Sequence, residues 1–145
     1  MKKKKLNIFL DSGAFSAWAK GEKINIQEYI AFIKKYEKYI EVCANLDVIG
    51  DPKATLKNQR IMEKAGLSPL PCFHYGEDIS YLENYIKNYE YVSLGGMVPI
   101  SSSDLIKWLD NIFGKYICNT KDRKPKVKVH GFGMTSFDLM CRYPW

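Results

Sequence analysis

At 145 residues, 46% hydrophobic and 26% charged, the chain has the length and balance of one folded domain, which excludes a disordered or fibrous protein. No run approaches the roughly 18 apolar residues of a membrane span. The opening MKKKKLNIFL carries only a short apolar run before Asp11 and no small-residue cleavage site, so no membrane partner and a cytoplasmic location are expected.

The net charge of +6 falls to +2 (6 − 4) once the four lysines Lys2, Lys3, Lys4 and Lys5 are set aside. That balance permits a nucleic-acid partner without demanding one. Cys43, Cys72, Cys118 and Cys141 are far apart and form no CxxC pair, which argues against a zinc ribbon. Each lies in or beside an apolar stretch and reads as a buried free thiol of a reducing compartment.

Along the chain, strands and helices alternate. Residues 6 to 10 read as a short apolar strand that stops at Asp11. From Ile26 to Tyr39 the apolar residues Ile26, Tyr29, Ile30, Ile33 and Tyr36 recur at helical spacing, with Lys34, Lys35 and Lys38 between them. Residues 40 to 46 predict a second strand ending at Asp47. Pro52 opens a second helix and Gly66 closes it. Residues 67 to 73 predict a third strand, containing two prolines and followed by His74, Tyr75 and Gly76.

Asp78 or Ser80 caps a third helix with Ile79, Leu82, Tyr85, Ile86 and Tyr89 on one face. Residues 91 to 94 form a very short strand leading into Gly95 and Gly96. Ser102 or Ser103 caps a fourth helix with Leu105, Trp108, Leu109, Ile112 and Phe113 inward. A loop of Lys, Asp, Arg and Pro leads to a strand at 127 to 129, then to His130, Gly131, Phe132 and Gly133. A last short helical stretch starts at Ser136.

This order predicts an α/β protein, a parallel sheet with alternating helices and about five βα units. Five units are too few for a closed eight-stranded barrel but suffice for an open doubly wound sheet. Neither GxGxxG nor a GxxxxGK[ST] phosphate loop is present.

In parallel α/β folds ligands bind at the carboxyl ends of the strands. There the sequence places Asp11, Ser12, Gly13 and Phe15, then Asn45, Asp47 and Asp51. His74, Tyr75 and Gly76 follow, then Gly95, Gly96 and Met97, and finally His130, Gly131 and Gly133. Singly, each has a plainer reading. The carboxylates read as caps or turn formers, the histidines as satisfied structural residues, the glycines as turns, and Phe15 and Trp18 as core. Polar or glycine residues at five successive strand ends point instead to one site. Two carboxylates, an aromatic plate and exposed backbone amides suit a flat heterocycle such as guanine. Its N1–H and exocyclic amine can donate to Asp47 and Asp11, and its O6 can accept an amide after Gly95.

The segments DSGAF, NLDVIGD, CFHYG, LGGM and HGFGM resemble, in order, motifs of the tRNA-guanine transglycosylases. The wording DSGAFSAW is closest to the divergent phage and bacterial branch that acts on DNA. The resemblance implies a partial (β/α)8 TIM-type barrel and exchange of guanine for a 7-deazaguanine in DNA or tRNA, with no cofactor. It implies a catalytic Asp11, a base-stacking Phe15, an Asp47 that reads the guanine edge, and Gly95, Gly96 and Met97 as the loop facing the base carbonyl. Gly131 and Gly133 match the family's M-G-x-G segment. Tyr75 stands where the family has a base-binding glutamine.

The family's nucleophile follows that last segment by a helix and a further strand. The resemblance therefore implies one incomplete barrel domain over residues 1–145 that continues beyond Trp145, inactive in base exchange by itself. The family's Cys/His zinc insertion is missing, so no metal is expected. The alternative is a non-catalytic purine- or nucleic-acid-binding remnant of the same fold. An unrelated metal-dependent α/β enzyme ranks last, because no HxH or Asp/His cluster stands at ligand spacing. An open sheet would expose edge strands, which invite a second copy.

Overall fold

The structure is a computed structural model that describes residues 7–145. The lysines of the amino-terminal tail and Leu6 of the first expected strand lie outside the described residues. The chain divides into two compact units, residues 1–71 and 72–145. Both are α/β: parallel strands form a two-stranded and a three-stranded sheet, with helices alternating between them.

In the first unit β1 (Ile8–Leu10) pairs in parallel with β2 (Ile40–Cys43). Between them lie α1 (Ala14–Ala19) and α2 (Ile26–Tyr36), and α3 (Pro52–Lys64) follows β2. The Asn25 side chain caps α2, accepting the N–H groups of Gln27 and Glu28 at 2.8 and 3.3 Å. The α2 stripe turns Tyr29, Ile30 and Ile33 inward, where they pack with Ala14, Cys43, Leu46 and Met62. Lys34 and Lys35 stay exposed in the last turn, where positive charge suits the helix dipole.

Asp51 caps α3 by accepting the Ala54 N–H at 2.9 Å, with Pro52 in the first turn. The helix ends in a Schellman motif. Gly66, at φ +86°, donates to the Glu63 carbonyl, and Leu67 donates to that of Met62.

The second expected strand stops at Cys43, three residues early. Beyond it only Ala44 bridges, in parallel, to Leu70. The third expected strand, 67 to 73, is a strand only from Cys72, because Pro69 and Pro71 have no N–H to donate.

In the second unit β3 (Cys72–His74), β4 (Tyr91–Gly95) and β5 (Lys128–Gly131) form a parallel sheet in chain order, with β4 central. His74, Gly95, His130 and Gly131 therefore lie inside strands, not after them. The helices are α4 (Ile79–Asn88), α5 (Ser102–Asn111) and α6 (Phe137–Arg142). The caps are Asp78, Ser101 and Ser136. The α5 cap thus precedes the expected serines by one or two residues: Ser101 Oγ accepts the Asp104 N–H at 3.3 Å and donates to the Asp104 carboxylate at 2.8 Å.

α5 runs on as a π-helical turn, Ile112–Ile117, that buries Ile112, Phe113 and Ile117 around the exposed Gly114. Leu82, Tyr85, Val92, Leu94, Leu109 and Phe113 are fully or almost fully buried in this unit. Cys43, Cys72 and Cys118 are buried free thiols as expected, but Cys141, near the carboxyl end of α6, is exposed. Among the described residues no helix is long and apolar enough to cross a membrane.

Candidate functional site

The first unit answers why a carboxylate stands at the exit of β1. One Asp11 oxygen accepts the Gly13 N–H at 3.0 Å, and Gly13 takes φ +72° at the start of α1. That turn is built from Asp and Gly because the side chain bonds the backbone two residues on while glycine bears the left-handed angle. Asp11 is exposed, and its second oxygen takes no hydrogen bond from the described residues.

Ser12, by contrast, is buried. Its Oγ accepts the Ala14 N–H at 3.1 Å and donates to Asp47 Oδ1 at 3.2 Å. Two strand-end motifs 35 residues apart are thereby joined through one hydroxyl.

A cavity of about 410 Å³ opens beside this junction, with Ala14, Trp18, Ile24, Leu46, Asp47 and Asn58 in its wall. Its polar side chains are Glu22, Lys23, Asp47 and Asn58. The Asn58 amide donates to the Leu46 carbonyl at 2.7 Å, and Thr55, fully buried, accepts the Val48 N–H at 2.9 Å. Together these bonds pin the segment carrying Asp47 onto α3. The expected aromatic, Phe15, is not in the wall. It is 47% exposed and lies 5.9 Å from Trp18, at a tilt of 36°. Trp18 supplies the cavity's aromatic surface instead. The signal for that was in the sequence: Ala14, Ala17 and Trp18 share one face of α1, with Gly21 in the turn that follows, and the three small residues leave room beside the ring.

Tyr29 lies below this end of the unit. Its hydroxyl donates to the Ala44 carbonyl at 3.0 Å. Burial, and after it the thiol of Cys43 and the carboxylates of Asp11 and Asp47, hold the phenol far above its ordinary range. Tyr29 is thus a permanent hydrogen-bond donor. Burial likewise raises the Cys43 thiol.

The second unit holds a different cluster. Cys72 Sγ lies 3.6 Å from His74 Nε2, and His74 Nδ1 lies 2.8 Å from Glu77 Oε1. All three are buried. A carboxylate only accepts, so Nδ1 carries the proton and Nε2 faces the sulfur. This sulfur–imidazole–carboxylate row can hold a proton between sulfur and nitrogen. Sequence reading noted His74 at a strand end but did not assemble the row. Its signal was the C-x-H-x-x-E spacing, a β-strand alternation running into a tight turn.

Gly95 is explained by the same row. A Cβ there would sit 2.9 Å from His74 Cδ2 and 3.0 Å from Cys72 Sγ. Gly96, at φ +69°, crosses the Tyr75 backbone, where a Cβ would lie 3.2 Å from the Tyr75 nitrogen. The Tyr75 N–H donates to the Gly95 carbonyl at 3.0 Å, and its ring lies 5.2 Å from that of Trp108. Met97 is 2% exposed, so its side chain belongs to the core. Gly131 lies under the Trp145 ring, 2.8 Å from a notional Cβ, and a Cβ on Gly133 would strike Val98.

The structure therefore brings Ser12 and Asp47 together at the first unit's cavity, with Asp11 one residue away. It brings Cys72, His74, Glu77, Gly95 and Gly96 together in the second unit. Fold and site define an α/β protein with parallel strands and a small, mostly apolar cavity whose wall carries two carboxylates, those of Glu22 and Asp47. Comparison with protein-family models, with curated proteins and with solved structures returns no match.

Proposed function

We propose that the chain is a purine-base-binding protein of the guanine-transglycosylase kind, taking guanine or a 7-deazaguanine and acting on DNA or tRNA, with its strands forming part of a (β/α)8-type barrel. The observation that carries this reading is the cavity beside Asp47. Its volume of about 410 Å³ suits a small flat molecule. Trp18 offers an apolar face, and the Asp47 carboxylate offers acceptors that match the N1–H and exocyclic amine of guanine. The Ser12 hydroxyl aims that carboxylate before any base arrives, which lowers the cost of ordering it on binding. Asp11, with one oxygen free of protein hydrogen bonds at the β1 exit, takes the catalytic place that the resemblance implies. The strand order of the second unit, β3, β4 and β5 side by side in chain order, fits an arc of such a barrel and equally one half of a doubly wound sheet.

Calorimetry with guanine and adenine tests the site. The unaltered chain should bind guanine and bind adenine poorly, since adenine lacks N1–H and carries an amine in place of O6. In Asp47→Asn a donor amine faces a ring N–H. The loss of a charge-assisted bond, about 1.5–3 kcal/mol, should weaken guanine binding roughly tenfold to a hundredfold. Equal affinity in two folded proteins would remove Asp47 from the site and the transglycosylase reading with it.

A further inference from the structure

Residues 115 to 128, KYICNTKDRKPKVK, hold six cations (Lys115, Lys121, Arg123, Lys124, Lys126 and Lys128) against one anion, Asp122. Their net charge of +5 leaves the remaining chain, with the four tail lysines set aside, at −3 (6 − 4 − 5). The excess positive charge outside the tail is thus confined to one segment of the second unit.

That segment has a defined backbone. Cys118 bridges Pro125 in antiparallel fashion, Asn119 donates to the Lys124 carbonyl at 2.8 Å, and Lys126 donates to the Ile117 carbonyl at 2.9 Å. The tip closes when the Arg123 N–H reaches the Asn119 carbonyl at 3.0 Å, with Arg123 in the left-handed region at φ +56°. Asp122 accepts the Lys124 N–H at 3.1 Å, so the one acidic side chain in the run serves the turn.

All six cationic residues are exposed. Among the described residues, no carboxylate lies within ion-pair distance of any of them. Like charges held on one ordered hairpin repel, and an anion relieves that repulsion. Beside the tip is a cleft of about 890 Å³ whose wall includes Asn119, Thr120, Arg123 and Gly114. It adds neutral donors next to the charges.

We propose that this hairpin is a docking surface for the phosphate backbone of a nucleic acid, with Lys121, Arg123 and Lys124 neutralising phosphates and Asn119 and Thr120 donating to phosphate oxygens. The tip, residues 120 to 125, has no aromatic or aliphatic side chain other than Pro125 to insert into a lipid surface or to anchor a protein partner. Regular phosphates, which need only positioned charge and donors, match it. The proposal rests on the charge and geometry of the hairpin; it names where the nucleic acid of the proposed function would dock and does not depend on the purine cavity.

The full chain is titrated into a fluorescently labelled 20-base-pair DNA duplex at several salt concentrations and followed by anisotropy. The variant Lys121→Gln/Arg123→Gln/Lys124→Gln should lower the slope of log affinity against log salt by about 3, and weaken binding at low salt at least about tenfold. The control Lys34→Gln/Lys35→Gln/Lys38→Gln removes the same charge from exposed positions in and just after α2, and should change the slope by less than about 1. Equal effects of the two triples, or none from the hairpin triple, would overturn the proposal. So would anionic phosphatidylglycerol vesicles that bind the chain and lose it in the hairpin triple while duplex binding stays intact. Guanine affinity should be unchanged in the hairpin triple, so failure here and failure of the purine site are read separately.

Discussion

His74 Nδ1 and Glu77 Oε1 lie 2.8 Å apart, and the His74 backbone N–H donates to the other oxygen of the same carboxylate at 3.1 Å. Glu77 thus accepts from both the ring and the main chain of a single buried residue, closing the turn between β3 and α4. Both contacts need oxygen. In Glu77→Gln one N–H is left facing an amide NH2, and a buried donor without a partner costs about 1–3 kcal/mol. Urea unfolding should show a lower midpoint at unchanged slope. A midpoint equal to that of the parent would mean that the pair holds nothing together.

Gly95→Ala probes the packing of the same row. The new methyl would press on His74 Cδ2 at 2.9 Å and Cys72 Sγ at 3.0 Å inside the sheet, and overpacking of this kind costs about 1–3 kcal/mol. Cys72→Ala removes one of the two obstructions. The Gly95→Ala penalty measured in that background should therefore be smaller, and an equal penalty in both backgrounds would show that the sulfur is not what excludes a side chain at 95.

Base binding should depend on Trp18 more than on Phe15. Trp18 lines the cavity beside Asp47, whereas Phe15 does not. Stacking on an aromatic contributes about 1–3 kcal/mol per base, so Trp18→Ala should weaken guanine binding about fivefold or more while Phe15→Ala changes it little. The reverse order, read by calorimetry, would restore Phe15 as the plate.

The four thiols should separate under alkylation. Cys141 is exposed, while Cys43, Cys72 and Cys118 are buried. Burial also raises the Cys43 and Cys118 thiols above their ordinary value, which leaves less thiolate to react. Iodoacetamide followed by peptide mass spectrometry should label Cys141 first in the folded protein and all four after denaturation. Early labelling of Cys43 would contradict its position in the core.

Acid should loosen the docking of α6. Arg142 grips both oxygens of Asp110 at 3.0 and 3.1 Å, and the Tyr143 hydroxyl donates to Asp110 at 2.7 Å. The Arg142 and Tyr143 hydrogen bonds hold the Asp110 carboxyl below its ordinary value of 3.8. A depressed carboxylate contributes stability above its unfolded value and loses it as pH falls through the folded value. The contribution should therefore be full at neutral pH, begin to fall near pH 4 and disappear only below the depressed folded value, with its size at most about 1 kcal/mol because the pair is solvent-exposed. Asp110→Asn should lower the thermal midpoint at pH 7 and lower it progressively less as the pH falls below about 4; a loss that stays the same across that range would assign the effect to something other than the charge.

The elements that depend on neighbours in sequence could be read from the sequence. The α2 stripe of Ile26, Tyr29, Ile30 and Ile33, the Asp51–Pro52 start of α3, its Gly66 stop and the Asp78 cap of α4 all follow from contacts spanning four residues or fewer. There, helix geometry alone decides who meets whom. The alternation of strand and helix, and the placing of Asp11 at the exit of β1, were legible for the same reason, whereas Asp47 follows the end of β2 by four residues.

What lay beyond that reach was decided by the tertiary structure. Strand length was one case: β2 and β3 are shorter than their apolar runs, because a strand lasts only as long as a partner can bond it, and Pro69 and Pro71 cannot donate. The others are matters of direction. That Trp18 and not Phe15 faces the cavity, that Ser12 reaches Asp47 across 35 residues, and that Gly95 is bare because His74 and Cys72 lie on the neighbouring strand all depend on close packing between segments distant in sequence. A sequence lists which groups are available to meet. Which of them do meet is set by the one arrangement that buries the apolar surface while leaving each buried donor an acceptor.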